Sequence, residues 1–245
     1  LSSGARLAMG SYYFHDYNWV QAEIQKRKAV ELNPGGAEEK FILASFLSQF
    51  SQPEEAIALS EEALKLNPLD PSSELKHIKT LFFSGRFQEG VDRSKLMIEK
   101  GQLVTGAYQF LSLCNMGLDQ FDEAGKAFGK QLSLNGQEME AEIFFENDFQ
   151  TACKKLLEIN EIEELPILDR NIYKASFYAN AGDRENAIRY LYEVYENQEP
   201  EIAWMKLPRF EFLREDPRYI ELYEKAGLKA YDEQLRSKKG ITANY

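Results

Sequence analysis

The phrase Ala29-Val30-Glu31-Leu32-Asn33-Pro34 is answered 34 residues later by Ala63-Leu64-Lys65-Leu66-Asn67-Pro68. A fixed interval of this length, closing on Ala-x-x-Leu-x-Pro, marks an array of helix–turn–helix repeats. The register outlasts the prolines. An aromatic residue followed three positions later by a small one recurs as Trp19/Ala22, Phe87/Gly90 and Phe121/Ala124, with Pro53/Ala56 in phase between them. This period predicts an all-α chain, an α-α superhelix built from antiparallel helix pairs.

Each unit is expected to contain two helices. In the second unit, Glu38 to about Phe50 carries Phe41, Ile42, Ala44, Ser45 and Leu47 at helical spacing. Ser51-Gln52-Pro53-Glu54 then reads as a capping box with proline in the first turn. The following helix presents Ala56, Ile57, Leu59, Ala63 and Leu64 on one face. Ala22, Ala56, Gly90 and Ala124 are small because the helices of a pair cross closely there, and a larger side chain at Ala56 would cost roughly 1–3 kcal/mol.

Residues 1–138 divide into four units in the 34-residue register, at about 3–36, 37–70, 71–104 and 105–138. In the third and fourth, Gly101 and Gly136 replace proline as the helix stop. Residues 139–201 hold a shortened pair, with Phe149/Ala152 repeating the aromatic–small signature, and a fifth unit. That unit has a helix from Leu168 to about Ala181, Asp183 as a cap, and a helix from Glu185 to about Glu196. Residues 202–245 read as an atypical helical cap and tail, the closing element that a solenoid's last apolar face requires. Pro200 to Leu207, across its start, is a short helix containing Trp204, Asp216-Pro217 is a strong helix start, and 229–245 is a frayed helix and tail.

Composition narrows the function. The 245 residues carry 40 acidic against 29 basic side chains, a formal charge of −11. Nucleic-acid affinity comes mainly from cations neutralising phosphates, so direct DNA or RNA binding by this segment is disfavoured, as is an anionic membrane surface. No apolar run approaches the roughly 20 residues needed to span a bilayer. The chain begins at Leu1 rather than methionine, so the absence of a leader carries no weight. Cys114 and Cys153 each lie in an apolar helical stretch and are expected as reduced core residues. That suits a cytoplasmic location, or a periplasmic one if a membrane span precedes the chain.

No catalytic constellation emerges. His15 and His77 lack ligand-spaced neighbours, so no metal is expected, and no cofactor motif occurs. Gly125-Lys126 and Gly129-Lys130 lack the remaining residues of a phosphate loop and fall inside a helix. The acidic run Glu161-Ile162-Glu163-Glu164 reads as a solvated surface. Asp216, Arg214 and Arg218 are accounted for by capping and local ion pairing.

The units resemble the tetratricopeptide repeat family. Gly10, Tyr13, Ala22, Ala29 and Pro34 match its pattern in the first unit, although Lys26 replaces the aromatic. Leu43, Ala44, Leu47, Ala56, Ala63 and Pro68 match in the second. Gly90, Ala124 and Phe128 persist in the degenerate third and fourth, where Gln102 and Gly136 stand in place of proline. Two stretches, Asp16 to Pro34 and Trp204 to Leu228, are similar to the C-terminal repeat regions of bacterial multidomain regulators. In those proteins, such repeats follow a winged-helix, nucleotide cyclase or protein kinase domain.

The resemblance implies a non-catalytic protein-interaction scaffold, the regulatory arm of a signalling or transcription-regulatory protein. Its concave groove, lined by the first helices, would take a peptide or helix of a protein partner. By repeat register the groove positions are Leu7, Ser11 and Phe14 in the first unit and Phe41, Ser45 and Gln49 in the second. Leu75, Lys79, Phe82 and Phe83 follow in the third, and Gln109, Leu113 and Met116 in the fourth. Leu7, Ser11 and Phe41 stand where one subfamily carries the Lys and Asn that clamp C-terminal carboxylates, so that mode is disfavoured. The alternative is a small-ligand or peptide sensor controlling an attached effector. Association as a homodimer, through the groove or an end face, is compatible with both.

Overall fold

The computed structural model describes residues 1–159 and 170–238, and those residues form helices and turns with no strand. Four antiparallel pairs open the chain: α1 Ser3–His15 with α2 Trp19–Leu32, α3 Ala37–Gln49 with α4 Pro53–Leu66, α5 Pro71–Phe83 with α6 Phe87–Glu99, and α7 Val104–Gly117 with α8 Phe121–Leu134. A shorter pair follows, α9 Glu138–Glu146 and α10 Phe149–Ile159, then α11 Asn171–Ala181 with α12 Arg184–Glu196. Two 3-10 helices, Pro200–Lys206 and Pro208–Leu213, lead into α13 Pro217–Lys225 and α14 Leu228–Lys238.

Local chemistry sets these boundaries. The side chains of Ser2, Asn18, Asp70, Asp183 and Asp216 accept from backbone amides of the first turns they precede. Proline opens α4, α5, α13 and both 3-10 helices, where its missing N–H leaves nothing unsatisfied. Gly101 and Gly136 end their helices at φ of 65° and 80°, the left-handed conformation that glycine adopts without strain.

The second helices of the first four pairs start at 19, 53, 87 and 121, and the small residue of each, Ala22, Ala56, Gly90 and Ala124, is buried at the crossing. At Gly90 a Cβ would stand 2.6 Å from Cys114 Sγ. Both cysteines are free and buried, and burial pushes the Cys114 thiol up to about 12.

Two expectations are corrected. Gln52, not Ser51, is the N-cap of α4 and makes no side-chain capping bond, while Ser51 sits at φ 59°. The helix starts one residue later than a capping box on Ser51 requires, which moves the hydroxyl out of register with the helix amides. Residues 229–238 are not frayed: they lie in α14, where Tyr231 and Leu235 are buried and the Tyr231 hydroxyl donates to Glu23 Oε2 at 2.7 Å. The acidic run 161–164, the first residues of the 168–181 helix and the tail 239–245 lie outside the described residues.

Candidate binding site on the inner face

The first helices turn one side toward the interior of the superhelix, and the first 3-10 helix enters there. Its Trp204 donates through Nε1 to Gln49 Oε1 at 3.1 Å. The indole packs 5.3 Å from the Phe83 ring and 5.8 Å from that of Tyr173. Proline at positions 200 and 208 fixes the backbone on either side of this insertion.

Trp204 thereby borders three cavities, one of about 1000 Å³ lined also by Phe87, Tyr219 and Tyr223, and two smaller ones. One, of about 270 Å³, is lined by Phe14, Phe41, Ser45 and Gln49 together with Lys26, Lys76, Lys79 and Glu201. The other, of about 300 Å³, is lined by Lys79, Phe82, Phe83, Gln109, Leu113 and Met116 from the repeats. Tyr173 and Phe177 of α11 and Arg209 of the second 3-10 helix complete it. Three of the positions read as groove from the repeat register border neither cavity. Ser11 is exposed and Leu7 half-buried, and Leu75 packs beside Gly106 and the Ile78–Met97–Ala107 cluster. Phe41 and Phe82 are only 4% and 5% exposed, so they serve the core as well as the cavity walls.

The cations here are unusual. Lys26 lies 5.4 Å from the Phe14 ring centroid and 6.0 Å from that of Phe46, and burial lowers its amine to about 8. Burial likewise lowers the Lys79 amine below its ordinary value, with Glu201 opposing and Arg170 adding to the effect. Burial also lowers the Arg209 guanidinium to about 10. Among the described residues, the side chains of Lys79 and Arg209 have no hydrogen-bond or ion-pair partner. Glu201 pairs instead with Arg170.

Sequence reasoning missed Trp204 and Arg209 as inner-face residues because they lie outside the repeat register. The one available signal was a tryptophan and an arginine in a short segment bracketed and punctuated by prolines.

His77 is fully buried, with Nδ1 2.8 Å from Ser60 Oγ, and Ser60 is equally buried, so this pair meets no substrate. No metal-binding group of His, Cys, Asp or Glu occurs among the described residues. Asp216 caps α13, and Arg218 beside it pulls its carboxyl down to about 2 while also gripping Glu185. No helix among the described residues is long and apolar enough to cross a membrane.

No family model matches the chain, and no curated protein matches it. Among solved structures, that from a functional characterization of Pseudomonas aeruginosa pilF is similar with a TM-score of 0.48 and 16% identity, covering 85% of this chain and 97% of that one. The 34-residue spacing of successive pairs and the small residues at their crossings make the chain an all-α superhelix of helix–turn–helix repeats.

Proposed function

We propose that the chain is a non-catalytic interaction scaffold whose inner face receives a peptide or helix of a partner protein, as the regulatory arm of a bacterial signalling or transcription-regulatory protein. The observation that carries this reading is the pair of aromatic-walled cavities on either side of Trp204. They offer two anchor pockets separated by a fixed indole, the pattern by which an apolar helix face or an extended segment is held. Ser45 is the position to test, because it is half-buried at a cavity wall, whereas a charge at Phe41 or Phe82 would disrupt the core.

Selection from a displayed peptide library against the wild type and Ser45→Arg tests the proposal. Peptides that lose at least tenfold in affinity to the variant, at unchanged Tm, support it. Peptides that bind both proteins equally place the interface elsewhere.

A second reading, a small-ligand sensor controlling an attached effector, is favoured by one specific observation. The cavity beside Arg209 combines apolar walls with unpartnered polar groups.

A further inference from the structure

We infer that the cavity between α5, α7, α11 and the second 3-10 helix binds a small aromatic carboxylic acid, its ring against the phenylalanines and its carboxylate on Arg209. This rests on the small-ligand reading and names the ligand class.

The walls come first. Phe82, Phe83, Phe128, Phe177, Tyr173 and Trp204 surround about 300 Å³, at the lower end of the volumes that small-molecule sites occupy. Such walls favour a flat apolar body, since aromatic pairs gain from edge and offset contacts.

The charges come second. Lys79 and Arg209 belong to elements 130 positions apart in the sequence, yet both border this cavity. Neither has a hydrogen-bond or ion-pair partner among the described residues; Glu201, engaged by Arg170 through Oε1 alone, acts on Lys79 and not on Arg209. Arg209 is held in place by its neighbours, since Phe210 and Leu213 of the same short helix are fully buried. A guanidinium beside an apolar wall without a counter-ion is costly. A carboxylate offers acceptor sites to Arg209, whose fork matches its geometry.

The third observation concerns neutral groups. Gln131 also lines the cavity and is 6% exposed, and its Oε1 accepts no hydrogen bond. The Asn180 amide reaches only the Met116 thioether, at 3.8 Å. An acceptor left without a donor in a dry site favours a ligand that supplies an N–H or O–H.

Isothermal titration of the whole chain with three matched probes tests this: indole-3-acetate, naphthalene-1-acetate, which lacks the ring N–H, and indole-3-ethanol, which lacks the carboxylate. The expected result is one site, with indole-3-acetate bound at least tenfold more tightly than the alcohol and severalfold more tightly than the naphthalene acid. Arg209→Gln should weaken the acids at least tenfold and the alcohol less than twofold. The Tm of the unliganded variant should hold or rise, because a buried unpaired charge has been removed. Equal binding of acid and alcohol would overturn the carboxylate assignment and leave the cavity a ligand site. No binding of any probe at millimolar concentration would overturn the ligand reading itself. Equal weakening of all probes in the variant would reduce Arg209 to a structural residue.

Discussion

The indole N–H of Trp19 donates to the backbone carbonyl of Ala226 at 2.8 Å, joining residues 207 positions apart. Beside it the Tyr17 hydroxyl lies 3.1 Å from the Glu199 carbonyl oxygen, and the Tyr231 hydroxyl donates to Glu23. In a simple solenoid each unit touches only its neighbours and the two ends unfold independently. Here the first pair carries the last helices on its surface. Gly227 belongs to this joint: its φ is 68° and its Cα side faces the Trp19 ring, a place where any other residue would be strained.

Trp19→Phe keeps the ring among Phe14, Tyr17 and Phe50 but removes the donor to a buried carbonyl. The expected loss is about 1–3 kcal/mol, measured by urea denaturation. Because the bond ties the two ends, hydrogen exchange should speed up in α14 and α2 together. Acceleration in one of them alone would show that the ends are not coupled.

Gly90→Ala sets a methyl against Cys114 Sγ and should cost about 1–3 kcal/mol by overpacking. Cys114→Ala in the same chain should recover most of it, giving a double-mutant coupling of at least ~0.5 kcal/mol. An additive pair would mean that the crossing relaxes in some other way.

Lys26 has a folded-state amine lowered to about 8 by burial, below the unfolded value near 10.4. The unfolded chain therefore binds more protons between these values, and this group's contribution to stability rises with pH across that window. Below pH 8 its penalty is constant. Lys26→Met keeps the stem that packs beside Gly10 and should be more stable than the wild type at pH 7 by about 2–3 kcal/mol. The advantage should shrink to near zero by pH 10.5, as read from denaturation midpoints at the two pH values.

Trp204→Ala removes the hydrogen bond to Gln49 and the contacts with Phe83 and Tyr173. For a half-buried indole the cost should be about 2–3 kcal/mol, short of the 3–5 typical of a fully buried one. Trypsin cleavage after Lys206 and Arg209 should accelerate well beyond cleavage elsewhere. Uniform acceleration would mean global destabilisation rather than release of this segment.

What was legible in the sequence is what repetition encodes. Ala22, Ala56, Gly90 and Ala124 announced the helix crossings because a small residue is required wherever two axes approach closely, and the requirement recurs with the period. Asp183 and Asp216 announced helix starts because a cap acts on amides two or three residues away. Phe14, Phe41, Phe82 and Leu113 could be placed on the inner side of first helices from register alone. The same register also put Leu7, Ser11 and Leu75 there, since it specifies a helix face and not how far the wall of a cavity extends along it.

The contacts that shape the interior have no such period. Trp204 meets Gln49 across 155 residues and Tyr231 meets Glu23 across 208, separations that no spacing rule records. The sequence by itself determined the helix pairs, their crossings and their caps, because those depend on neighbours within one or two units. Only the tertiary structure decided that the 3-10 segment enters the inner face, that Arg209 borders a cavity with Lys79, and that α14 closes on α2. These follow from the curvature accumulated over six helix pairs, which brings the chain's two ends together and leaves the last apolar surface to be buried against the first.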